Sequence, residues 1–224
     1  MLIYENLLNK KECVGGFVLE GEAEISFEHG RMRIRNTMDE SFGQAANIVY
    51  WCPEEFPADI RITWDFYPLK DKGLCVFFFS ARGRNGEDIF DESMAKRTGE
   101  YQMYHSGDIN ALHISYYRRM YESERAFQVA NLRKSYGFHL TAQGADPIPY
   151  PQDARPPYHM RVDKFGNMVK FYINGLWIFT FEDDGTTYGS VLGSGKIGFR
   201  QMSPMIGEYA NLRVETLTKE GEPV

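Results

Sequence analysis

Proton-transferring and hydrogen-bonding side chains crowd the middle of this chain, in the run YHSGDINALHISYYRR (104–119) and in NLRKSYGFHL (131–140). Three of the five histidines, His105, His113 and His139, fall there, with Tyr101, Tyr104, Tyr116, Tyr117, Arg118, Arg119, Asn131, Arg133 and Lys134 around them. An imidazole can take or give a proton near neutral pH, a phenol can donate one, and a guanidinium grips a carboxylate as a fork. These types together suit a sugar that carries a carboxylate. Arg119 or Arg133 with Asn131 would hold the acid group. For β-elimination, His113 or His105 would take the C5 proton and Tyr117 would protonate the leaving oxygen.

The spacing carries this reading. From Ile109 to Arg119 the period is two: Leu112, Ile114 and Tyr116 alternate against Ala111, His113, Ser115, Tyr117 and Arg119. The first set reads as core and the second as a polar row lining a groove, with Tyr104 at its approach. The turn His105-Ser106-Gly107-Asp108 would set His105 and Asp108 at the groove's end. Arg133 and Lys134 face opposite ways in an extended chain, so only one of them is expected inside. His139, between Phe138 and Leu140, reads equally well as a core histidine. The plainer alternative for the whole band is a solvated face of mixed charge. His105, Asp108 and His113 do not match a metal-ligand spacing, and no cofactor motif is present.

A glycosidase would need a pair of carboxylates. Glu20, Glu22 and Glu24 alternate on an early strand, a pattern that fits a charged edge better than a nucleophile and acid. Asp65 with Asp108 or Asp146 is the remaining combination that a hydrolase would use.

The elements that must position these groups are strands. Segment 59–67 alternates cleanly, with Ile60, Ile62, Trp64 and Phe66 on one side, and Pro68 closes it. Segment 74–81 is apolar throughout, as in a strand covered on both faces. Tyr158–Asp163 turns into Met168–Ile173, and Asn174-Gly175 is a strong hairpin signal before Leu176–Glu182. Phe17–Gly21, Glu24–Phe27, Met32–Asn36, Asn47–Cys52, Gly195–Arg200 and Tyr209–Leu217 complete about a dozen strands. Only Asp91–Arg97 and Arg119–Arg125 allow short helices. Residues 1–224 are expected to form a single all-β domain of two packed antiparallel sheets. The long segments 82–99 and 141–157, the second holding five of the ten prolines, are expected as binding loops, with 141–157 an ordered rim.

Composition narrows the partner. The net charge of −6 disfavours nucleic acid, yet residues 96–139 hold seven Lys/Arg against four acids, a local excess of three positive charges suited to an anion. The three cysteines cannot all pair, and Cys75 in an apolar run is expected as a buried hydrophobe. No run approaches the ~20 apolar residues of a membrane span, and the first residues lack a secretory pattern. A cytoplasmic protein free of membrane contact is expected, with self-association left open.

The runs YHSGDINALHISYYRR, NLRKSYGFHL, GADPIP, WCPEEFP and GKIGFRQMSPM together resemble the YesU-type family of uncharacterised bacterial proteins. The closing strands are similar to those of the concanavalin A-like lectin/glucanase superfamily. The resemblance implies a two-sheet antiparallel jelly-roll sandwich. It also implies rhamnogalacturonan, a uronate-containing pectin, as the source of an acidic oligosaccharide partner. It supplies no catalytic residues and no cofactor. A carbohydrate-active protein, by elimination or through a carboxylate pair, and a non-catalytic lectin are both expectations of this reading. A purely structural role remains beside them.

Overall fold

Alternating apolar side chains give each strand one face to bury, and two sheets bury those faces against each other. A computed structural model describes residues 1–218. One sheet has eight strands. Its order is β13 (Leu176–Glu182), β12 (Met168–Ile173), β11 (Tyr158–Phe165), β6 (Ile60–Pro68), β15 (Ile206–Thr216), β4 (Arg31–Asn36) and β3 (Ala23–Glu28), with β1 (Leu2–Asn6) also on β15. The other sheet runs β10 (His139–Ala145), β9 (Val129–Ser135), β8 (Ile109–Tyr116), β7 (Leu74–Gly83), β14 (Lys196–Met202), β5 (Ile48–Trp51) and β2 (Val18–Glu20).

Between the sheets lies the main core. Ile60, Ile62, Trp64 and Phe66 of β6 face Phe77, Leu112, Ile114 and Phe199, and Trp64 stacks on Phe77 with ring centroids 4.2 Å apart. A second apolar cluster forms on the outer face of the seven-stranded sheet. Val49, Trp51, Val76 and Phe78 are covered there by Ile89 and Tyr104 of segment 84–108. This double cover is why β7 is apolar at every position from Leu74 to Phe79. Cys75 and Cys52 are buried, and all three cysteines are free.

The Asn174-Gly175 turn has positive φ at both residues, 51° and 77°, as the hairpin signal requires. β1, β9 and β10 are strands beyond those expected from the sequence pattern. Residues 91–97 form no helix; instead the Asp88 and Asp91 carboxylates cap the backbone N–H groups of Phe90 and Ser93, both at 2.9 Å, holding local turns. The short helices are α1 (Gln102–His105) and α2 (Glu122–Ala126).

Candidate functional site

Directly paired residues of neighbouring antiparallel strands share a face, and two such rows build the outer face of the seven-stranded sheet. One row runs Val49, Arg200, Val76, Ser115, Asn131 and Gln143. The next runs Trp51, Gly198, Phe78, His113 and Arg133. Segment 84–108 covers part of this face and leaves a hollow of about 210 Å³. Val76, Ser115 and Asn131 lie at its floor. Arg118, Arg133, Tyr101, Tyr121, Phe138 and Gln44 stand around it.

A buried carboxylate locks the cover in place. Glu20 accepts from Trp51 Nε1 at 2.8 Å and from the Tyr104 hydroxyl at 2.7 Å, and pairs with Arg97 at 2.8 Å. The acids 20, 22 and 24 read as a charged edge in the sequence, but Glu20 lies inside and ties the edge strand β2 to the covering segment.

Cations dominate the hollow. Arg118 pairs with Glu124 at 2.7 Å. In the amide orientation that satisfies both ends of its group, Asn131 accepts from Arg118 Nη1 at 3.2 Å. Arg133 donates to the Phe138 carbonyl at 2.9 Å and lies 3.7 Å over the Phe138 ring; among the described residues no carboxylate pairs with it. The Tyr101 hydroxyl meets His113 Nδ1 at 2.8 Å, and the other imidazole nitrogen meets Ser135 Oγ at 2.9 Å. Burial, reinforced by the positive charge of Arg133, holds the His113 imidazole well below its ordinary pKa. Burial pushes the Tyr101 phenol up to about 12. At neutral pH this pair is therefore an uncharged imidazole and a protonated phenol.

The structure brings Ser115, Asn131 and Arg133 together in the hollow and places His113 behind Tyr101 at its wall, whereas Tyr104 is fully buried on Trp51 and Phe78 with its hydroxyl on Glu20. Four further expected positions lie elsewhere. Tyr117 has φ +47°, so the alternation stops at Tyr116, and the Tyr117 ring turns into the main core, donating to the Lys70 carbonyl at 2.8 Å. Arg119 is fully buried against Asp146 at 3.2 Å and the Ile148 carbonyl at 2.8 Å; Arg118 takes the groove position instead. Asp108 accepts from the Ala95 N–H at 2.6 Å and lines a separate hollow with Arg84 and Glu87. His139 stacks on Tyr188, 4.6 Å between centroids, in yet another. His105 is bonded to its neighbour Ser106 at 2.7 Å and packs on Phe138 at the edge of the hollow. Lys134 faces inward to Asp183 at 2.6 Å, as the alternation with Arg133 requires. The proline-rich loop does not form a rim: Asp146 and Ile148 anchor it beneath, on Arg119.

The carboxylates do not assemble a pair. Asp65 sits on the outer face of the eight-stranded sheet, bonded to His159 at 2.6 Å and Asn211 at 2.7 Å, while Asp146 is interior and Asp108 borders a different hollow. Three other hollows are larger, at about 560, 490 and 430 Å³, but most of their cations are matched. Lys134 has Asp183, Arg161 has Asp163, Arg213 has Glu5 and His159 has Asp65; Arg84 lies exposed over the Tyr136 ring. Among the described residues no group of three or more His, Cys, Asp or Glu could hold a metal.

Two open antiparallel sheets in this order define a jelly-roll sandwich of the galectin-like and concanavalin A-like lectin/glucanase kind. The chain belongs to the family described as a domain of unknown function (DUF1961), whose model matches residues 1–214. It is 53% identical over 212 residues, 95% of this chain and 94% of the relative, to the uncharacterised protein YesU of Bacillus subtilis (strain 168). A crystal structure from Bacillus subtilis, described as a protein of unknown function with a galectin-like fold, superposes with a TM-score of 0.92 at 52% identity, covering 95% of this chain and 94% of that one. A Bacillus licheniformis β-glucanase (TM-score 0.57, 12% identity, 94% and 96% covered) and the Bacillus subtilis carbohydrate-binding module CBM66 (0.52, 12%, 88% and 93%) share the fold. The runs that carried the resemblance in the sequence thus pointed to the right family and architecture.

Proposed function

We propose that the hollow on the seven-stranded sheet binds an acidic glycan through its uronate carboxylates, without changing it. One observation carries this reading: Arg118 and Arg133 stand over a floor of Ser115 and Asn131 between aromatic rings, and among the described residues Glu124 is the single carboxylate lining the site and is already held by Arg118. Guanidinium groups suit a carboxylate, the serine and amide suit ring hydroxyls, and Tyr101, Tyr121 and Phe138 offer faces for a sugar ring. The carbohydrate-binding module and the glucanase that share the fold support a glycan as the class of ligand. Uronate-containing oligosaccharides derived from rhamnogalacturonan fit the positive charge.

A second reading, β-elimination, draws on the Tyr101–His113 contact. A phenol raised to about 12 can donate a proton at neutral pH but does not take one. His113 has both nitrogens occupied, and Glu124 is held by Arg118 and by the backbone of Met120 and Tyr121. Binding is the reading the geometry supports better.

Titration calorimetry with oligogalacturonides and with a neutral galactan of equal length tests it. Saturable binding of the acidic chain is expected, and Arg133→Ala is expected to weaken it roughly tenfold or more, the worth of one charge-assisted contact. Equal affinity for both chains, or none for either, would refute it. Absorbance of an unsaturated product should stay flat in the same mixtures; a rise that Tyr101→Phe abolishes would replace binding by elimination.

A further inference from the structure

Arg200 is fully buried, yet it has no anion. On β14 it stands between Val49 and Val76 on the outer face of the sheet, beside the floor of the hollow. Its Nη2 makes two long contacts, 3.3 Å to Gln44 Oε1 and 3.4 Å to the Gly99 carbonyl. Its Nε and Nη1 have no partner at all. Tyr101 lies over the guanidinium, 4.4 Å from its ring centroid. Burial holds its guanidinium below the ordinary arginine range, and among the described residues no carboxylate pairs with it.

Taking a guanidinium out of water is costly, and buried charges are normally paired with an opposite charge. The other inward arginines of this chain obey that rule: Arg97 has Glu20 and Arg119 has Asp146. Arg200 breaks it beside a hollow in which, among the described residues, Arg133 also has no carboxylate partner. Both residues that roof it, Gln44 and Tyr101, also line that hollow.

We propose that Arg200 is the innermost seat for the ligand's carboxylate, and that the Gln44 side-chain amide occupies this seat until the acid displaces it. This rests on the glycan-binding reading and narrows it, assigning selection of acidic over neutral sugars to one residue. Gln44 is itself exposed, and leaving the seat gives up two further bonds: its Oε1 accepts from Nδ2 of the buried Asn47 at 3.0 Å and from the Tyr101 N–H at 3.3 Å. Gly43 just before it has φ +61° and ψ −124°, a kink at which the segment can turn. The incoming carboxylate would present one oxygen to the Nη2 N–H that Gln44 gives up and the other to an unpartnered N–H beside it, and no covalent step is involved.

The two arms of the test are the melting temperature and selectivity of Arg200→Met. Without a ligand, removing an unpaired buried charge should leave the melting temperature unchanged or raise it by about 2 °C or more. Free D-galacturonate should raise the melting temperature of the unaltered protein, galactose at the same concentration should not, and the galacturonate effect should vanish in Arg200→Met. A variant that melts several degrees lower and still responds to galacturonate would make Arg200 structural and overturn the proposal. So would an unaltered protein on which galacturonate has no effect. Gln44→Ala keeps Arg200 in place and should tighten galacturonate binding roughly threefold, the equivalent of one competing hydrogen bond; unchanged or weaker binding would exclude displacement. Galacturonate protection that depends on Arg200, found alongside no binding of any oligosaccharide, would keep the carboxylate seat while removing the glycan.

Discussion

Tyr117, Arg118 and Arg119 are three consecutive residues with three different destinations: core, hollow and a buried ion pair. An uninterrupted alternation would have sent Tyr117 and Arg119 to the groove with His113 and Ser115. A single left-handed residue at Tyr117 shifts the frame by one, and nothing in the local sequence announces it, because non-glycine residues seldom adopt that conformation. Tyr117→Phe is therefore expected to leave glycan binding unchanged and to lower stability by about 1 kcal/mol, the worth of its bond to the Lys70 carbonyl, measured by urea unfolding. Glu20 is the opposite case, an acid that looks like surface and works as an anchor. Glu20→Ala strands Arg97 and removes the acceptor of Trp51 and Tyr104, so a loss of about 3–5 kcal/mol is expected on the same measurement. A change below about 1 kcal/mol would show that the three donors find other partners.

At the scale of elements, the site exists because a loop lies on a sheet and stops short. Segment 84–108 descends onto the outer face through Ile89, Arg97 and Tyr104, and it approaches β5 so closely that Gly99 has no room for a side chain: a Cβ there would fall 1.9 Å from the Asn47 carbonyl oxygen, at φ +96°. Gly99→Ala must push the segment off the sheet. A stability loss above about 2 kcal/mol and faster proteolysis within 84–108 are expected, the latter read by mass spectrometry of the first cleavage products. Unaltered cleavage would mean that the cover is held by Glu20 alone. The apolar run of β7 announces that its strand is covered twice, but not by what; the covering segment follows β7 directly yet is mostly polar, so only folding names it.

For the molecule as a whole, burial of a neutral histidine links stability to pH. In the folded protein His113 stays unprotonated well below the ordinary value of ~6.5, whereas in the unfolded chain it takes a proton near that pH. Below about pH 6.5 the unfolded state thus binds more protons, and stability falls as the pH falls, by up to ~1.4 kcal/mol per pH unit for this one group. Above that pH the contribution is fully present. His105, lowered in the same direction by burial, adds to it. His113→Gln should flatten the slope between pH 6.5 and 5, measured as unfolding free energy against pH; an unaltered slope would assign the effect to other groups. By itself the sequence determined what is periodic or local: the strands, the Asn174-Gly175 turn, the all-β sandwich, the opposed faces of Arg133 and Lys134, and the band from which Ser115, Asn131 and Arg133 come. Tertiary structure alone decided which cations meet. The hollow draws Gln44, Tyr101, Arg118, Arg133 and, at its wall, Arg200 from five separate segments, and a side chain's charge is left unneutralised or not according to neighbours that pairing across strands supplies, not neighbours in the chain.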